Sequence, residues 1–182
     1  MYEPYQKQSY SNRCYIRSAQ QVDRLTVPVL GSKKKMPYAA IQIDQQQRWA
    51  QTHWRSIYTN YGKAPYFEYM APYFEPILFA QHTYLHELSL ALFTLCLDLL
   101  QIKKTITLET KAPATVAEGV YAVQHIHPRK ESALSDSYHP VAYQQVFGSA
   151  FIGNLSIIDL LFCKGLEACA VLQASRSRAR ET

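Results

Sequence analysis

Glycine is scarce in this sequence, with six residues among 182. Loops that hold a nucleotide phosphate need closely spaced glycines, because a residue without Cβ lets backbone N–H groups approach the phosphate. The chain contains neither the P-loop spacing nor the dinucleotide-binding fingerprint, and it has no G-x-S-x-G nucleophile motif. These absences exclude the enzyme classes that those three motifs define.

Long apolar runs are also absent. No run approaches the roughly 18 residues that a membrane-spanning helix requires, and the first ten residues, MYEPYQKQSY, lack the apolar segment of a signal peptide. Hydrophobic residues nevertheless make up 48% of the chain and charged residues 18%, which is a globular composition. The sequence therefore predicts a cytoplasmic protein without a membrane span.

The four cysteines form no C-x-x-C pair and no zinc-type spacing, so reduced structural thiols are expected. Cys96, for example, falls on an apolar helical stripe. His125 and His127 alternate as residues on one face of an extended chain do, so both could meet one metal ion. No third ligand is fixed by the sequence, and Arg129 and Lys130 beside the pair suit an anion equally well. Neither a metal site nor a cofactor is predicted.

The net charge of +5 is concentrated in two short runs. Lys33–Lys35 and Arg176–Arg180 carry much of the excess, and the rest of the chain is close to neutral. Nucleic-acid binding, which needs an extended basic surface, is therefore not predicted. An anionic small molecule remains compatible with this charge.

Alternating and β-branched residues predict strands on both sides of a helical region. The predicted strands are RCYIR, DRLTVPVL and AAIQID before the helices and KTITLET after them. Residues 111–138, which follow, show no firm periodicity and are expected to form a long loop.

Apolar residues at helical spacing predict a helix over Gln45–Tyr61, with Gly62 as its stop. PYFEYMAPYFEPIL is expected to form two short helical turns, because proline suits the first turn of a helix and not its interior. TYLHELSLALFTLCLDLLQI has leucines at 3-4 spacing and predicts a well-buried helix that Thr83 can cap.

Two more helices are predicted near the end of the chain, in GNLSIIDLLF and GLEACAVLQ. Asn154 or Ser156 can cap the first of these helices, and Ser156 and Asp159 have the spacing of a capping box. The order of elements predicts an α/β or α+β fold in which helices pack on a mixed β-sheet. We expect a single domain over residues 1–173 and a basic, disordered tail over residues 174–182.

His53 is the candidate catalytic residue in the aromatic stretch HWRSIYTNYGKAPYFEYM. It lies one helical turn from Trp49 and next to Trp54. Indole rings exclude water, and desolvation lowers the pKa of an imidazole, which suits a neutral general base. A core histidine with one hydrogen-bond partner is the alternative interpretation. Lys63 is the other functional candidate of this stretch, whose remaining aromatics are expected in the core.

Polar side chains are dense in KQSYSNR, at the start of the chain. Lys7, Asn12 and Arg13 can together bind a phosphate or a carboxylate. An exposed N-terminal strand is the alternative interpretation.

Several segments together resemble the WbqC-like family of bacterial proteins, in its Bacteroidetes-type branch. They are YQKQSYSNRCYI, LTVPV, the block from IQID through HWRSIYTNYGKAPYFEYM, YQQVF and NLSIIDLLFCKG, in the family's order. The resemblance implies a role in the synthesis of surface polysaccharide, such as O-antigen or lipopolysaccharide. The family pattern maps onto Lys7, Asn12, Arg13, His53, Tyr143, Gln145, Asn154, Ser156 and Asp159.

The chain departs from the family pattern at its start and at four positions. Family members carry a further strand-helix-strand before the segments matched here, so the chain is expected to be N-terminally short. Ser11 stands where an arginine is usual, and Cys163 where an asparagine is usual. Tyr121 and Val123 stand where an aspartate and an arginine are usual. An impaired site is expected if those residues bind substrate.

The resemblance implies two alternative functions. In the first, the protein is a transferase on a nucleotide-linked amino sugar, with His53 as base and Asp159 orienting a partner or the substrate amine. Lys7 and Arg13 would then hold phosphate, while Tyr143 and Gln145 would contact substrate. In the second, the protein is a non-catalytic binding or assembly subunit of the same pathway. Both imply an anionic small-molecule partner, and neither specifies an oligomeric state.

Overall fold

Two antiparallel strands near the start of the chain form a hairpin. They are seen in a computed structural model that describes residues 4–31, 36–108 and 138–176. Strand β1 spans Arg13–Arg17, which is the predicted RCYIR, and strand β2 spans Val22–Thr26. The second strand begins one residue before the predicted DRLTVPVL and ends halfway through it.

The two faces of the hairpin differ in character, because successive side chains of a strand point to opposite sides. Ile16 and Leu25 are buried on the inner face. The outer face carries Arg13, Tyr15 and Arg17 of β1. Thr26 pairs with Arg13 across the hairpin, so this face is polar. The inner face therefore packs on the core, and the outer face carries charged groups.

Helix α1 spans Trp49–Tyr61 and confirms the predicted helix, although it begins four residues later than expected. Gly62 follows as the C-cap residue, and its N–H donates to the Tyr58 carbonyl at 2.8 Å. One face of the helix packs on the core, because buried residues recur every fourth position. They are Trp49, His53, Ile57 and Tyr61.

Helix α2 spans Phe67–Phe79 without interruption, so the prediction of two separate turns is wrong. Pro72 and Pro76 lie inside the helix on its exposed side. A proline leaves the carbonyl one turn earlier without its helical donor, but on the exposed side water can replace that donor. The opposite side buries Phe67, Met70, Ala71, Phe74 and Leu78, which maintains one helix.

Helix α3 spans Leu85–Leu99 and confirms the leucine-rich helix. Its N-cap is Tyr84 and not the expected Thr83. The Tyr84 N–H donates to the Glu87 carboxylate at 3.0 Å, which ties the cap to the first turn. Cys96 is buried in this helix, and burial raises the pKa of its thiol to about 12, so it is a neutral structural thiol.

Helices α4, Ile157–Lys164, and α5, Ala168–Ala174, confirm the two predicted C-terminal helices. A 3-10 turn, Gly165–Glu167, joins them. Gly165 has a φ of +55°, and a Cβ there would overlap the ring of Tyr66. Only glycine fits this junction, because it tolerates the left-handed conformation and leaves room for the ring.

The packed chain extends beyond residue 174, where the tail was expected to begin. Ser175 is 2% exposed, and its hydroxyl donates to the Val171 carbonyl at 2.7 Å. The same hydroxyl accepts from the Val141 N–H at 3.0 Å. These contacts fix the end of α5 against the segment that begins at residue 138, whereas residues 177–182 lie outside the described part.

Phe162 of α4 lies at the centre of the core with 0% exposure. Its ring centroid lies 5.5 Å from that of Tyr61, 5.1 Å from that of Phe67 and 5.6 Å from that of Phe74. Aromatic pairs at these separations contribute beyond the area they bury. The contacts join α1, α2 and α4 into one core.

Of the two expected fold classes, α/β and α+β, the structure has the second, as a single domain. Across the described ranges the sheet consists of β1 and β2 alone, so it is smaller than the mixed sheet expected. AAIQID does not add a strand to it, because its backbone groups form only isolated bridges, to Val29 after β2 and to Tyr84 before α3. The Leu85 N–H donates to Ile41, and the Ile43 N–H donates to Thr83. Residues 104–108, the described part of KTITLET, are not strand either.

The predicted long loop lies almost wholly outside the described residues, together with Lys33–Lys35, His125, His127 and the variant positions Tyr121 and Val123. None of the described helices combines the length and the apolar character needed to cross a bilayer.

Candidate functional site

Asp159, in the first turn of α4, has a fully buried carboxylate that accepts three side-chain hydrogen bonds. The Tyr61 hydroxyl donates to Oδ1 at 2.8 Å. The Tyr143 hydroxyl donates to Oδ2 at 2.6 Å, and Nε2 of Gln145 donates to the same oxygen at 2.9 Å. Both oxygens are therefore occupied, so Asp159 positions its three partners and has no direct access to a ligand. We call these four residues the Asp159 network.

Neutral donors stabilise the charge of this network. Burial and the nearby Asp159 carboxylate raise the pKa of Tyr61 and Tyr143 well above the usual tyrosine value, so both hydroxyls keep their protons. Asp159 also lies at the N-terminal end of α4, where free N–H groups favour a negative charge. Within the described ranges the one ion pair is Lys164–Glu167, so no cation pairs with Asp159 there.

The capping-box prediction for Ser156 and Asp159 is wrong. Ser156 is the N-cap residue of α4, but its side chain makes no capping hydrogen bond. It contacts the Cys14 thiol instead, while the Asp159 carboxylate points into the network. Burial raises the pKa of Cys14 to about 11, with the Ser156 contact opposing the shift. Cys14 is thus a neutral thiol and a poor nucleophile.

Gln145 holds a loop in place. Its Nε2 donates to the Ile152 carbonyl at 3.0 Å, and its Oε1 accepts from the Ile152 N–H at 2.9 Å. The same Nε2 reaches Asp159, so one amide fixes the two ends of residues 145–152 and attaches them to α4. This loop forms one wall of a groove on the surface.

The groove has a volume of about 310 Å³, and we call it the Lys63 groove. Its walls come from the end of α1 with the turn that follows, from residues 144–147 and from the end of α4. Two predicted substrate-binding residues, Lys63 and Gln145, line it together. Tyr143 and Asp159 do not line the groove. They are connected to Gln145 by the hydrogen bonds of the Asp159 network.

Lys63 gives the groove its positive character, because the charge of the second lysine, Lys164, is compensated by Glu167. Lys63 is exposed, and Lys164 lies 2.6 Å from the carboxylate of Glu167. Cys163 also lines the groove, but burial and the charge of Asp159 raise the pKa of its thiol to about 12. The groove can therefore bind an anion, whereas its thiol is not poised for nucleophilic attack.

His53 lies in α1 against the second strand of the hairpin. Its Nε2 is 3.1 Å from the Thr26 carbonyl, which can only accept, so the proton is on Nε2 and Nδ1 is the basic atom. The Trp49 ring packs edge-on at 5.3 Å between centroids, whereas Trp54 stacks on Phe67. Burial lowers the pKa of His53, and the Thr26 hydrogen bond opposes that shift. A neutral, desolvated imidazole agrees with the expectation from the sequence.

Asn12 and Arg13 lie beside Thr26, at the same end of the hairpin as His53. The Asn12 amide donates to the Val27 carbonyl at 2.9 Å. Asn12 Oδ1, Arg13 Nε and the Thr26 hydroxyl are buried without hydrogen-bond partners. Lys7 is exposed in the preceding turn. Because buried polar groups are normally paired, this corner of the molecule has unused hydrogen-bonding capacity.

The sequence profile described as the WbqC-like protein family matches residues 3–132. The chain belongs to this family. One relative is a Mycobacterium tuberculosis protein (strain ATCC 25618 / H37Rv) named Uncharacterized protein Rv1507c. It is 29% identical over 199 aligned positions, which cover 94% of this chain and 85% of the relative. No solved structure matches significantly.

The predicted site residues of this WbqC-like protein fall into two groups. Asn12, Arg13 and His53 lie near Thr26, while Lys63 and the Asp159 network lie at the other end of α1. His53 and Tyr61 are eight residues apart on one helix, which corresponds to about 12 Å along its axis. His53 therefore makes no direct contact with Asp159, and the two predicted catalytic residues do not form a pair.

Tyr61, in the Asp159 network, and Lys164, in the wall of the Lys63 groove, are two residues that the sequence did not single out. Tyr61 was expected only as core, yet its hydroxyl accepts from the Arg17 N–H at 2.9 Å and donates to Asp159. A tyrosine at a fully buried helical position is itself a signal, because a buried hydroxyl needs a partner. Lys164 carried no such signal, since its role depends on the long-range packing of α4 beside α1.

Proposed function

We propose that this WbqC-like protein binds a nucleotide-linked amino sugar, or another anionic small molecule, in the Lys63 groove. The pathway would be surface polysaccharide biosynthesis, which is what the family resemblance implies. One observation carries the proposal: the groove places Lys63 beside an amide, Gln145, that a buried carboxylate holds in position.

The chemistry of the groove favours such a ligand. Lys63 has no carboxylate partner among the described residues, so its ammonium is available to an oxyanion. Asn60 and Gln144 add amide groups to the walls, which suit sugar hydroxyls. The volume of about 310 Å³ is at the lower end of the range for small-molecule sites, about 300–1,000 Å³.

Calorimetric titration with UDP-linked and dTDP-linked amino sugars tests the proposal. Removing a charged hydrogen-bond donor costs about 1.5–3 kcal/mol, so Lys63→Ala should weaken binding by about tenfold or more. Lys104→Ala is the matched control, because Lys104 is exposed and lies outside the groove, and it should keep the wild-type affinity. Equal affinities for Lys63→Ala and wild type would contradict the proposal.

A transferase is the second candidate function, and the neutral His53 supports it. In an acyl transfer from a thioester to the sugar amine, Nδ1 would take the amine proton as the C–N bond forms. The C–S bond would break, and the His53 imidazolium would return that proton to the leaving thiolate. His53 does not line the groove, so a bound sugar must extend about 10 Å along α1 to reach it.

Transfer assays on the His53→Ala protein separate the two functions. If the protein is a transferase, turnover of acyl-CoA and amino sugar should be lost while the affinity for the sugar nucleotide is retained. If the protein is a binding or assembly subunit, neither wild type nor variant should turn over, and pathway output in cells should survive the substitution.

A further inference from the structure

Asn60, near the end of α1, is a buried amide that lines the Lys63 groove. Its Nδ2 donates to the Ser56 carbonyl, one helical turn earlier, at 2.9 Å and lies 3.4 Å from the Ser56 hydroxyl. A carbonyl oxygen can only accept, so this contact determines which way the amide is turned. The nitrogen faces its own helix, and the oxygen, Oδ1, faces away from Ser56.

Oδ1 of Asn60 is an acceptor to which no donor of the described ranges is directed. It is not one of the enclosed polar atoms that lack a partner in those ranges, so it is accessible from the groove that Asn60 lines. An amide oxygen held in this position can contact a ligand only through a hydrogen-bond donor on that ligand.

The two other amides of the groove are less suited to select a ligand. Nε2 of Gln145 donates to Ile152 and to Asp159, and its Oε1 accepts from the Ile152 N–H. Gln144 is exposed, so its side chain can turn either end towards a ligand. Asn60 is therefore the groove amide that is both fixed and open to a ligand.

The groove lies close to charges of both signs. Lys63 is exposed in its wall. Cys163 of α4 is also in the wall, and burial together with the charge of Asp159, one helical turn earlier, raises the pKa of its thiol to about 12. The negative charge of Asp159 therefore acts on this wall, although its carboxylate is fully buried. Such a field attracts a cationic group of a ligand, while Lys63 attracts an anionic one.

We propose that Asn60 is the specificity-determining residue of the Lys63 groove, and that the ligand carries a free amine beside its phosphate, as a 2-amino sugar 1-phosphate does. This assignment rests on the proposed function of the groove and adds the group that the ligand must present. Lys63 binds the phosphate, and Oδ1 of Asn60 accepts a hydrogen bond from the protonated amine.

One ligand can make both contacts, because Asn60 and Lys63 line the same groove. They are three positions apart, a stretch of chain that spans at most about 10 Å. A hydrogen bond from an ammonium group is roughly twice as strong as one between neutral groups. The groove should therefore prefer an amine to a hydroxyl at the same carbon.

Calorimetric titration of the full chain with three sugar 1-phosphates tests this preference. Glucosamine 1-phosphate, glucose 1-phosphate and 2-deoxyglucose 1-phosphate share the phosphate and differ only at C2, which carries an amine, a hydroxyl or hydrogen. Wild type should bind the amino ligand at least about tenfold more tightly than the deoxy ligand, with the hydroxyl ligand between them. Equal affinities for the amino and hydroxyl ligands would overturn the inference.

Substitutions of Asn60 separate ligand selection from a structural role. Asn60→Ala removes the acceptor, so the amino and deoxy ligands should bind equally. Asn60→Asp keeps an acceptor and adds a negative charge, so it should keep the preference for the amino ligand. Gln51→Ala is the matched control, because Gln51 is an exposed amide of α1 outside the groove. Thermal melts verify folding, and Asn60→Leu, which has a similar size and no acceptor, replaces the alanine variant if that does not fold.

Lys63→Ala distinguishes this inference from the proposal on which it rests. It should weaken all three ligands alike, because they share the phosphate. If it does so while Asn60→Ala keeps the preference for the amine, Asn60 is a packing residue and the inference is overturned, but the groove stands. If Lys63→Ala changes no affinity, both proposals fail. Loss of the preference in Asn60→Ala alone, with uniform weakening in Lys63→Ala, supports both.

Discussion

His53 and Asp159 are both buried polar residues, but different interactions accommodate them. His53 avoids a buried charge, since desolvation lowers its pKa and a single carbonyl accepts its one proton. Asp159 is surrounded by donors, with three side chains directed at its two oxygens. The first arrangement leaves a free basic atom, Nδ1, whereas the second leaves no free oxygen. Of the two residues, His53 is the one suited to proton transfer.

The state of His53 makes stability depend on pH. Its folded-state pKa lies below the ordinary 6.5, so the unfolded chain takes up the proton more readily. The stabilisation is complete above the unfolded-state pKa and is lost as the pH falls through about 6.5 towards the lower folded-state value. Wild type should therefore lose more stability between pH 7 and pH 5 than His53→Gln, which can still donate to Thr26.

Urea unfolding at several pH values measures this difference. Other titrating groups are common to both proteins and cancel in the comparison. Parallel stability curves for wild type and variant would mean that burial does not perturb His53.

His53 and Asp159 also differ in how well their surroundings could be predicted from the sequence. Trp49 is a helical neighbour of His53, so the desolvation of the imidazole followed from local spacing. Tyr61 is 98 positions from Asp159, and a pairing at that separation leaves no periodic signal. The one local pattern at Asp159 was the capping box, which gave the wrong partner, and the family resemblance marked the residue without naming its contacts.

At the scale of elements, the junction between α4 and α5 shows how one glycine sets the packing of two helices. Gly165 combines a positive φ with close contact to Tyr66, and Tyr66 in turn donates its N–H to the Phe162 carbonyl at 3.0 Å. The turn therefore connects α4 and α5 and also packs on the start of α2. A side chain at Gly165 would have to move the tyrosine ring.

Gly165→Ala should lower the free energy of unfolding by about 2 kcal/mol or more, from backbone strain and from the clash with Tyr66. Gly31→Ala is a matched control, because Gly31 also has a positive φ, +39°, but nothing lies within 4 Å of a Cβ there. The control should show the backbone cost alone. Chemical denaturation measures both variants, and equal losses would show that Tyr66 yields without cost.

The helices were largely predictable and the sheet was not. The leucine spacing of α3 and the glycine after α1 are local signals, and both helices formed where those signals lie. The prolines in α2 led to the wrong prediction of two separate turns. The rule against interior proline assumes that the freed carbonyl finds no other donor, but on an exposed helix face water can donate to it. AAIQID has the alternation of a strand, but it forms only isolated bridges, to Val29 on one side and to Tyr84 before α3 on the other.

At the scale of the whole molecule, Tyr61 links parts of the chain that are far apart in sequence. Its hydroxyl accepts from Arg17 of the hairpin and donates to Asp159 of α4, while its ring contacts Phe162. One residue of α1 thus joins the N-terminal hairpin to the C-terminal helix. Neither link was predictable, because both are contacts between distant segments.

Tyr61→Phe should destabilise the protein by about 1–3 kcal/mol, since it leaves the Arg17 N–H and one Asp159 oxygen without their partner. Tyr58→Phe is the control on the same helix, because Tyr58 is 62% exposed, and its effect should stay within about 0.5 kcal/mol. A cycle that adds Asp159→Asn should show strong coupling with Tyr61→Phe. Strict additivity would mean that the hydroxyl contributes little to the network.

The position of Phe162 has a consequence for any shortened form of the protein. The family match ends at residue 132, which invites a boundary there. A chain cut at that point would lose Phe162, and Tyr61, Phe67 and Phe74 would lose the ring they surround. During synthesis the same aromatic side chains stay exposed until α4 has left the ribosome, because they pack on Phe162. The region that the family profile matches, residues 3–132, is thus smaller than the unit that packs around Phe162.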